Sequence, residues 1–282
     1  MKEFNFSLFF LFYLINMNKS IDITQVKSHV INLKSNTKKL ERVQKSLNAI
    51  SIFPERFDAV YGKDLDPLYI DKITYPSVQH TMKNGRYIDS NIETLGAIGC
   101  YLSHVKLWEA LANSNDEMLL ILEDDAITNN FSAFQINQFL NEIIENDPEW
   151  DVIFLGYTKP SPSPNADIPI TESVYKINEI TFQTHAYLLS KKGALKLLSK
   201  AFPIVDQVDS YMSYMAITRG LNSYRGNTSY LKQYNEEGSS IQAGVSIKVF
   251  LNRCSTRSLW ICITFVSILL ILLVIIMINK KS

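Results

Sequence analysis

Apolar residues along the chain follow two rhythms. Short runs of strand length recur at His29 to Leu33 (HVINL), Phe57 to Tyr61 (FDAVY), Met118 to Leu122 (MLLIL), Asp151 to Leu155 (DVIFL) and Phe182 to Leu189 (FQTHAYLL). Between them the spacing changes to three or four. Leu40, Val43, Leu47 and Ile50 share one face after the capping residues Ser35 and Asn36, and Ile98, Leu102, Val105, Trp108 and Leu111 do so after Thr94. Phe134 to Ile144 and Lys191 to Lys200 predict two further helices. The runs MLLIL and DVIFL have no polar face, which suits central strands covered on both sides. This alternation predicts an α/β sandwich around a mostly parallel sheet. Residues 63–93, interrupted by Pro67, Pro76 and Gly85, read as an irregular surface excursion. Lys159 to Pro169, with Pro160, Pro162, Pro164 and Pro169, reads as a loop.

Two apolar stretches fall outside this alternation. Leu259 to Ile278 holds 20 residues without a charge and predicts a transmembrane helix, since a bilayer core of ~30 Å needs about that length. Arg253 and Arg257 precede it and Lys280 and Lys281 follow it, so charge does not orient it and the side of the membrane stays open. Leu8 to Ile15 is shorter and reads as an apolar extension or a weak signal peptide, with Met17 a second candidate start. The expected organisation is an N-terminal extension at 1–27, a folded domain at 28–245, a linker at 246–258, a transmembrane helix at 259–278 and a tail at 279–282. The expected location is a membrane crossed once, with lipid as a partner of that helix. Sequons at Asn5, Asn18, Asn130 and Asn227 are usable only if the domain faces a secretory lumen.

Composition narrows the partners. The 282 residues carry 28 basic and 28 acidic side chains, and no segment forms the dense basic stripe that nucleic acid requires. Small molecules, glycans and lipid remain. Of the three cysteines, Cys262 lies in the apolar C-terminal run, and Cys100 and Cys254 make no disulfide framework.

The feature with chemical content is Glu123-Asp124-Asp125, directly after the MLLIL strand. Three adjacent carboxylates raise one another's pKa unless compensated, and a hard divalent cation compensates them through oxygen ligands. In open α/β sheets the carboxyl ends of the strands form the ligand crevice. Acids after a strand also cap helices or face water, so the triplet alone leaves both readings open. A metal there, Mn²⁺ or Mg²⁺, would bridge the phosphates of a nucleotide-sugar. The attacking hydroxyl needs a base, and Asp206 and Asp209 after the last strand are available, each equally able to cap a helix.

The order of blocks resembles glycosyltransferase family 25, which includes bacterial lipooligosaccharide galactosyltransferases and collagen galactosyltransferases. The matching stretches are VINLKSNTKKLERV, RFDAVYG, LGAIGCYLSHVKLWEAL, LLILEDDA, WDVIFLG, THAYLLSKKGALKLL, VDSYM and QYNEEGSSIQ, between His29 and Gln242. The resemblance implies a GT-A-like, Rossmann-like fold, a UDP-sugar donor, Mn²⁺ held at Glu123, Asp124 and Asp125, and inversion at the anomeric carbon. On the matching positions it places Asn32 and Arg42 near the nucleotide, Ser103 and His104 near the donor, and His185 and Asp209 toward the sugar or acceptor. Taken singly, Arg42 also fits a solvated helix residue, and His104 and His185 fit hydrogen-bonded core histidines. The chain departs from the family pattern at Tyr61-Gly62, where Asp-Gly is frequent, and at Ser239-Ser240-Ile241, where Ser-Asp-Ile is frequent.

The expected activity is therefore transfer of a hexose, galactose before glucose, from a UDP-sugar to a hydroxyl of a glycan or hydroxylated protein. Asp125 is the principal expected metal ligand and Asp209 the preferred base. The alternative is an inactive, membrane-anchored glycan-binding or scaffold protein of the same fold. A nucleotidyl or phosphoryl transferase ranks last, for want of a phosphate-cradling glycine-rich loop.

Overall fold

A computed structural model describes residues 20–86, 88–158 and 167–234. Strand β1 (Ser28–Asn32) leads into helix α1 (Thr37–Asn48), then β2 (Glu55–Asp58), α2 (Pro67–Ile73), α3 (Pro76–Asn84) and the long α4 (Leu95–Asn113). The second half runs through β3 (Met118–Glu123), β4 (Ala126–Thr128), α5 (Ala133–Asn146), β5 (Val152–Thr158), β6 (Ile168–Pro169), β7 (Val174–Lys176) and β8 (Phe182–Ser190). It ends with α6 (Lys191–Leu198), α7 (Val208–Arg219), β9 (Ser223–Gly226) and β10 (Leu231–Gln233).

Among the described residues an eight-stranded sheet has the order β2-β1-β3-β8-β5-β9-β7-β6, and β4 pairs with β10 beside it. The expected mostly parallel sheet is corrected to a mixed one. β1 is parallel to β2 and β3, and β5 to β9, but β8 runs antiparallel to both β3 and β5. An unbroken apolar run reports burial on both faces and is silent on strand direction, which is why the sequence misled here.

Alternation along the strands feeds two cores. Ile31, Leu119, Ile121, Phe154, Tyr187 and Leu189 face α4, α6 and α7. Val30, Leu120, Leu122, Ile153, Ala186 and Leu188 face α1 and α5. The result is a three-layer sandwich. The next residue in the first series is Glu123, so the period of two directs its side chain toward α4.

The excursion at 63–93 is not irregular. Pro67 and Pro76 open α2 and α3 at their first positions, where a missing N–H removes no helical bond, and Asp66 caps the former through the Leu68 amide. The membrane expectation is corrected as well. Among the described residues no helix is long and apolar enough to cross a membrane. α4 has the length, but His104, Lys106 and Glu109 interrupt it and its apolar residues are spent on the sheet. The run Leu259 to Ile278 and the extension ahead of residue 20 lie outside the described residues, as do the boundaries at 245 and 258. The single-pass location and the lipid partner accordingly drop out of the description of this fold.

Candidate active site

A cavity of about 620 Å³ opens at the carboxyl ends of β1 and β3. Ile31, Leu33 and Asn36 form one wall, the segment Ala59 to Lys63 a second, and Thr94, Leu95 and Gly96 at the start of α4 a third. Cys100, Ser103, Glu123 and Asp124 close its base. Two glycines permit this shape. A Cβ on Gly99 would lie 2.5 Å from the Val60 carbonyl oxygen, and one on Gly62 would overlap the Leu95 carbonyl, so only glycine lets the 59–62 segment lie on α4. Ser103 fastens the contact by donating to the Gly99 carbonyl (2.7 Å) and accepting from the Val60 amide (2.8 Å).

Each acid of the triplet meets different neighbours. Glu123 Oε1 accepts from Thr184 Oγ1 at 2.7 Å and lies 3.4 Å from His104 Nε2. Burial opposes its charge, but His104 and Thr184 outweigh burial and hold the carboxyl below its ordinary range. At 3.4 Å the His104 contact is an electrostatic approach rather than a formed hydrogen bond. Asp124 Oδ2 accepts from Asn32 Nδ2 at 2.9 Å, and Lys39 Nζ stands 3.6 Å from Oδ1. Burial still raises its pKa, with Lys39 and Asn32 pulling the other way. Asp125 turns aside: Oδ2 accepts from Gln233 Nε2 at 2.8 Å, while Oδ1 is buried without a hydrogen-bond partner. Burial and then the Glu123 charge push its carboxyl up to about 7.

His104 is fully buried and part of an aromatic relay. Trp108 Nε1 donates to Tyr187 Oη at 2.8 Å, and Tyr187 Oη meets His104 Nδ1 at 2.8 Å. The Cys100 thiol, one turn earlier on α4, is pushed well up by burial and by the charges of Glu123 and Asp209.

The remaining residues singled out from the sequence fall into two groups. Ser103, Glu123 and Asp124 line the cavity, with Asn32 and His104 directly behind the two acids. Arg42 stacks over the Tyr234 ring at 3.9 Å, and Asp206 accepts from Ser90 (3.2 Å) and Asn91 (3.4 Å). His185 donates through Nε2 to the Leu231 carbonyl at 3.2 Å, and burial lowers its pKa. Asp209 accepts from the Gln183 amide (3.0 Å) and the Ser210 amide (2.7 Å), and burial raises its pKa. None of these four is on the cavity wall. Sequence reasoning missed Lys39, Lys63, Cys100 and Thr184. The spacing of four between Cys100 and the already singled-out His104 on a predicted helix was the signal that could have found Cys100.

Glu123 and Asp124 present carboxylate oxygens, the ligand type of a hard divalent cation, at the base of the cavity, and Asp125 Oδ1, off its wall, is a buried acceptor without a hydrogen-bond donor. The N-terminal end of the α4 dipole, where Thr94 Oγ1 caps the Ala97 amide at 3.1 Å, and Lys63 add positive potential on the opposite wall.

The sequence model of glycosyltransferase family 25 (LPS biosynthesis protein) matches residues 25–212. Procollagen galactosyltransferase 1-A of Xenopus laevis is 27% identical over 209 residues, covering 71% of this chain and 32% of that protein. A glycosyltransferase 25 family member of Drosophila melanogaster is 26% identical over 187 residues, covering 66% of this chain and 30% of its own length. A probable inactive glycosyltransferase 25 family member 3 of Bos taurus is 30% identical over 176 residues, covering 60% of this chain and 28% of that protein. The chain thus spans about a third of the length of the curated relatives it matches. With the family match covering most of the chain and Glu123 and Asp124 of its LLILEDDA block set into a cavity at the sheet's carboxyl edge, the chain belongs to glycosyltransferase family 25.

Proposed function

We propose that this chain transfers a hexose, galactose first, from a UDP-sugar to a hydroxyl on a glycan or hydroxylated protein, with inversion at the anomeric carbon. The observation that carries the reading is the cavity itself, which sets Glu123 and Asp124 against the N-terminus of α4. A nucleoside diphosphate suits those walls: helix amides and Lys63 attract phosphate oxygens on one side, and the acids hold a divalent cation on the other. Glu123, Asp124 and Asp125 would hold Mn²⁺ or Mg²⁺, which would supply charge neutralisation for the departing diphosphate.

The protein's own groups do the rest. Asn32 and Lys39 fix Asp124, and Thr184 and His104 fix Glu123, so both carboxylates are oriented before donor arrives. Asp209 is the proposed base. Burial raises its affinity for a proton and the Glu123 charge adds to that rise, which supports a proton-accepting role for a group that lies behind the cavity wall. Asp206, tied to Ser90 and Asn91, supports the turn into α7. Arg42, His185 and Ser103 serve by shaping the surroundings of nucleotide, sugar and donor.

A second reading, a glycan-binding module without transfer, is favoured by Tyr61 on the cavity wall in place of the family's frequent aspartate, and by the bovine relative described as probably inactive. Incubating the full chain with a panel of UDP-sugars and Mn²⁺, with donor binding followed by calorimetry, separates the two. Metal-dependent hydrolysis or transfer supports the enzyme. Glycan binding with neither donor binding nor turnover overturns it.

A further inference from the structure

The base of the cavity holds a second set of ligand-type atoms. Cys100 and His104 stand one turn apart on α4, so both project from the same face toward β3. With Glu123 they bring a sulfur, an imidazole nitrogen and a carboxylate oxygen within 4.8 Å of one another. His104 is 0% exposed, its Nδ1 is engaged by Tyr187, and its Nε2 has no hydrogen-bond partner while facing Glu123. One ring nitrogen anchored by an outer group and the other aimed at further ligands is the arrangement of a metal-binding imidazole. Cys100 and Glu123 both line the cavity, which leaves one side of the cluster open to solvent or ligand.

We propose that Cys100, His104 and Glu123 form a site for a thiophilic divalent cation of the zinc class, sharing Glu123 with the acidic turn. Ligand softness separates the two ions: thiolate and imidazole select zinc-like cations, and the carboxylates of Asp124 and Asp125 suit manganese or magnesium. Size is compatible. Zinc bonds of about 2.3 Å to sulfur and about 2.0 Å to nitrogen set tetrahedral ligands roughly 3.5 Å apart, so from separations within 4.8 Å the cluster closes by at most about 1.3 Å on binding. Coordination converts the Cys100 thiol to thiolate and releases its proton to solvent, with no change of oxidation state. Because Glu123 serves both ions, zinc-class occupation displaces the cation of the acidic turn. That consequence rests on the reading above, whereas the site itself does not.

Co²⁺ added to the full chain is the probe. One equivalent gives a thiolate-to-cobalt charge-transfer band, Zn²⁺ abolishes the band by displacement, and Zn²⁺ slows alkylation of Cys100 as read by mass spectrometry. The band disappears in Cys100→Ser, binding weakens at least about tenfold in His104→Gln, and the band survives in Asp125→Asn. A wild-type protein without the band, or a band that persists in Cys100→Ser, overturns the site. An intact band in a protein that transfers no sugar upholds it and counts only against the proposed transferase.

Discussion

The two edges of the central sheet treat buried acids in opposite ways. At the amino end of β5, Asp151 is 0% exposed and matched by two lysines: Lys196 Nζ lies 2.5 Å from Oδ2, where the Asn222 amide also donates at 2.7 Å, and Lys192 Nζ stands 3.8 Å from Oδ1, which accepts no hydrogen bond. It ties α6 and β9 to the start of β5. At the carboxyl end of β3, three acids have Lys39 and the His104 imidazole as near neighbours, and Asp125 is pushed up to about 7. An acid matched by its own cations works as a joint. Acids in excess of their cations store unfavourable charge, which is tolerable only where a ligand relieves it. The carboxyl edge is also where parallel strands leave a crevice, so the surplus charge and the space for a ligand coincide.

That contrast is broken or sharpened first by neutralising one acid at each edge. Glu123→Gln keeps size and hydrogen-bonding capacity, and should cut transfer by about 10²–10³ while moving Tm little. Asp151→Ala should do the reverse. It loses about 2–3 kcal/mol, below the 3–5 kcal/mol of a fully buried pair because both lysines can turn to water. Its Tm falls by roughly 5–10 °C, and specific activity per folded molecule at low temperature holds. Thermal denaturation and initial rates on both variants decide it. A stable, active Asp151→Ala, or a Glu123→Gln with unchanged rate, erases the distinction.

The second test uses pH. Asp125 has a folded pKa near 7 against an ordinary value of 3.8. Between those values the native chain holds a proton that the unfolded chain has released, so rising pH removes stability from this group. Its contribution is complete below about pH 4 and gone above about pH 7. Asp124 and Asp209 shift in the same direction, so the informative quantity is the variant against wild type. Asp125→Asn should flatten the decline in Tm between about pH 5 and pH 8 by the equivalent of about 1–2 kcal/mol. Mn²⁺ should raise the wild-type Tm most at the upper end of that range. A wild-type Tm that climbs with pH as steeply as the variant's contradicts the crowded-charge account.

Much of this contrast was legible in the chain. A strand of unbroken apolar residues ending in three acids announced both a central strand and a charged edge, and the GCYLSH and LLILEDDA blocks fixed which elements meet there. Other parts were not. The direction of β8 leaves no mark on an apolar run. α2 and α3 were hidden because proline reads as a breaker until its place in the first turn is known. α7 was hidden because its apolar positions lack a sharp stripe, so Asp209 read as a base or a helix cap rather than as an acid committed to the Gln183 amide. Gln183 itself has φ of 70°, a left-handed conformation that local sequence gives no reason to expect. The surplus at the acidic turn needed coordinates too, since Lys39 and His104 approach from two different helices.

The smallest effect is the most discriminating. Thr184 is 3% exposed and its hydroxyl gives Glu123 Oε1 a 2.7 Å hydrogen bond. Thr184→Val keeps the shape and removes that donor, which raises the Glu123 pKa, because the hydroxyl is one of the contacts that lower it. The expected loss is about 1 kcal/mol, the typical worth of one hydrogen bond. If Glu123 is held for chemistry, that loss surfaces as roughly a fivefold fall in kcat with Tm within about 1 °C of wild type. If Glu123 is instead a joint like Asp151, the loss surfaces in Tm and leaves kcat alone. One substitution, read by two instruments, therefore assigns the carboxyl edge to one class of acid or the other.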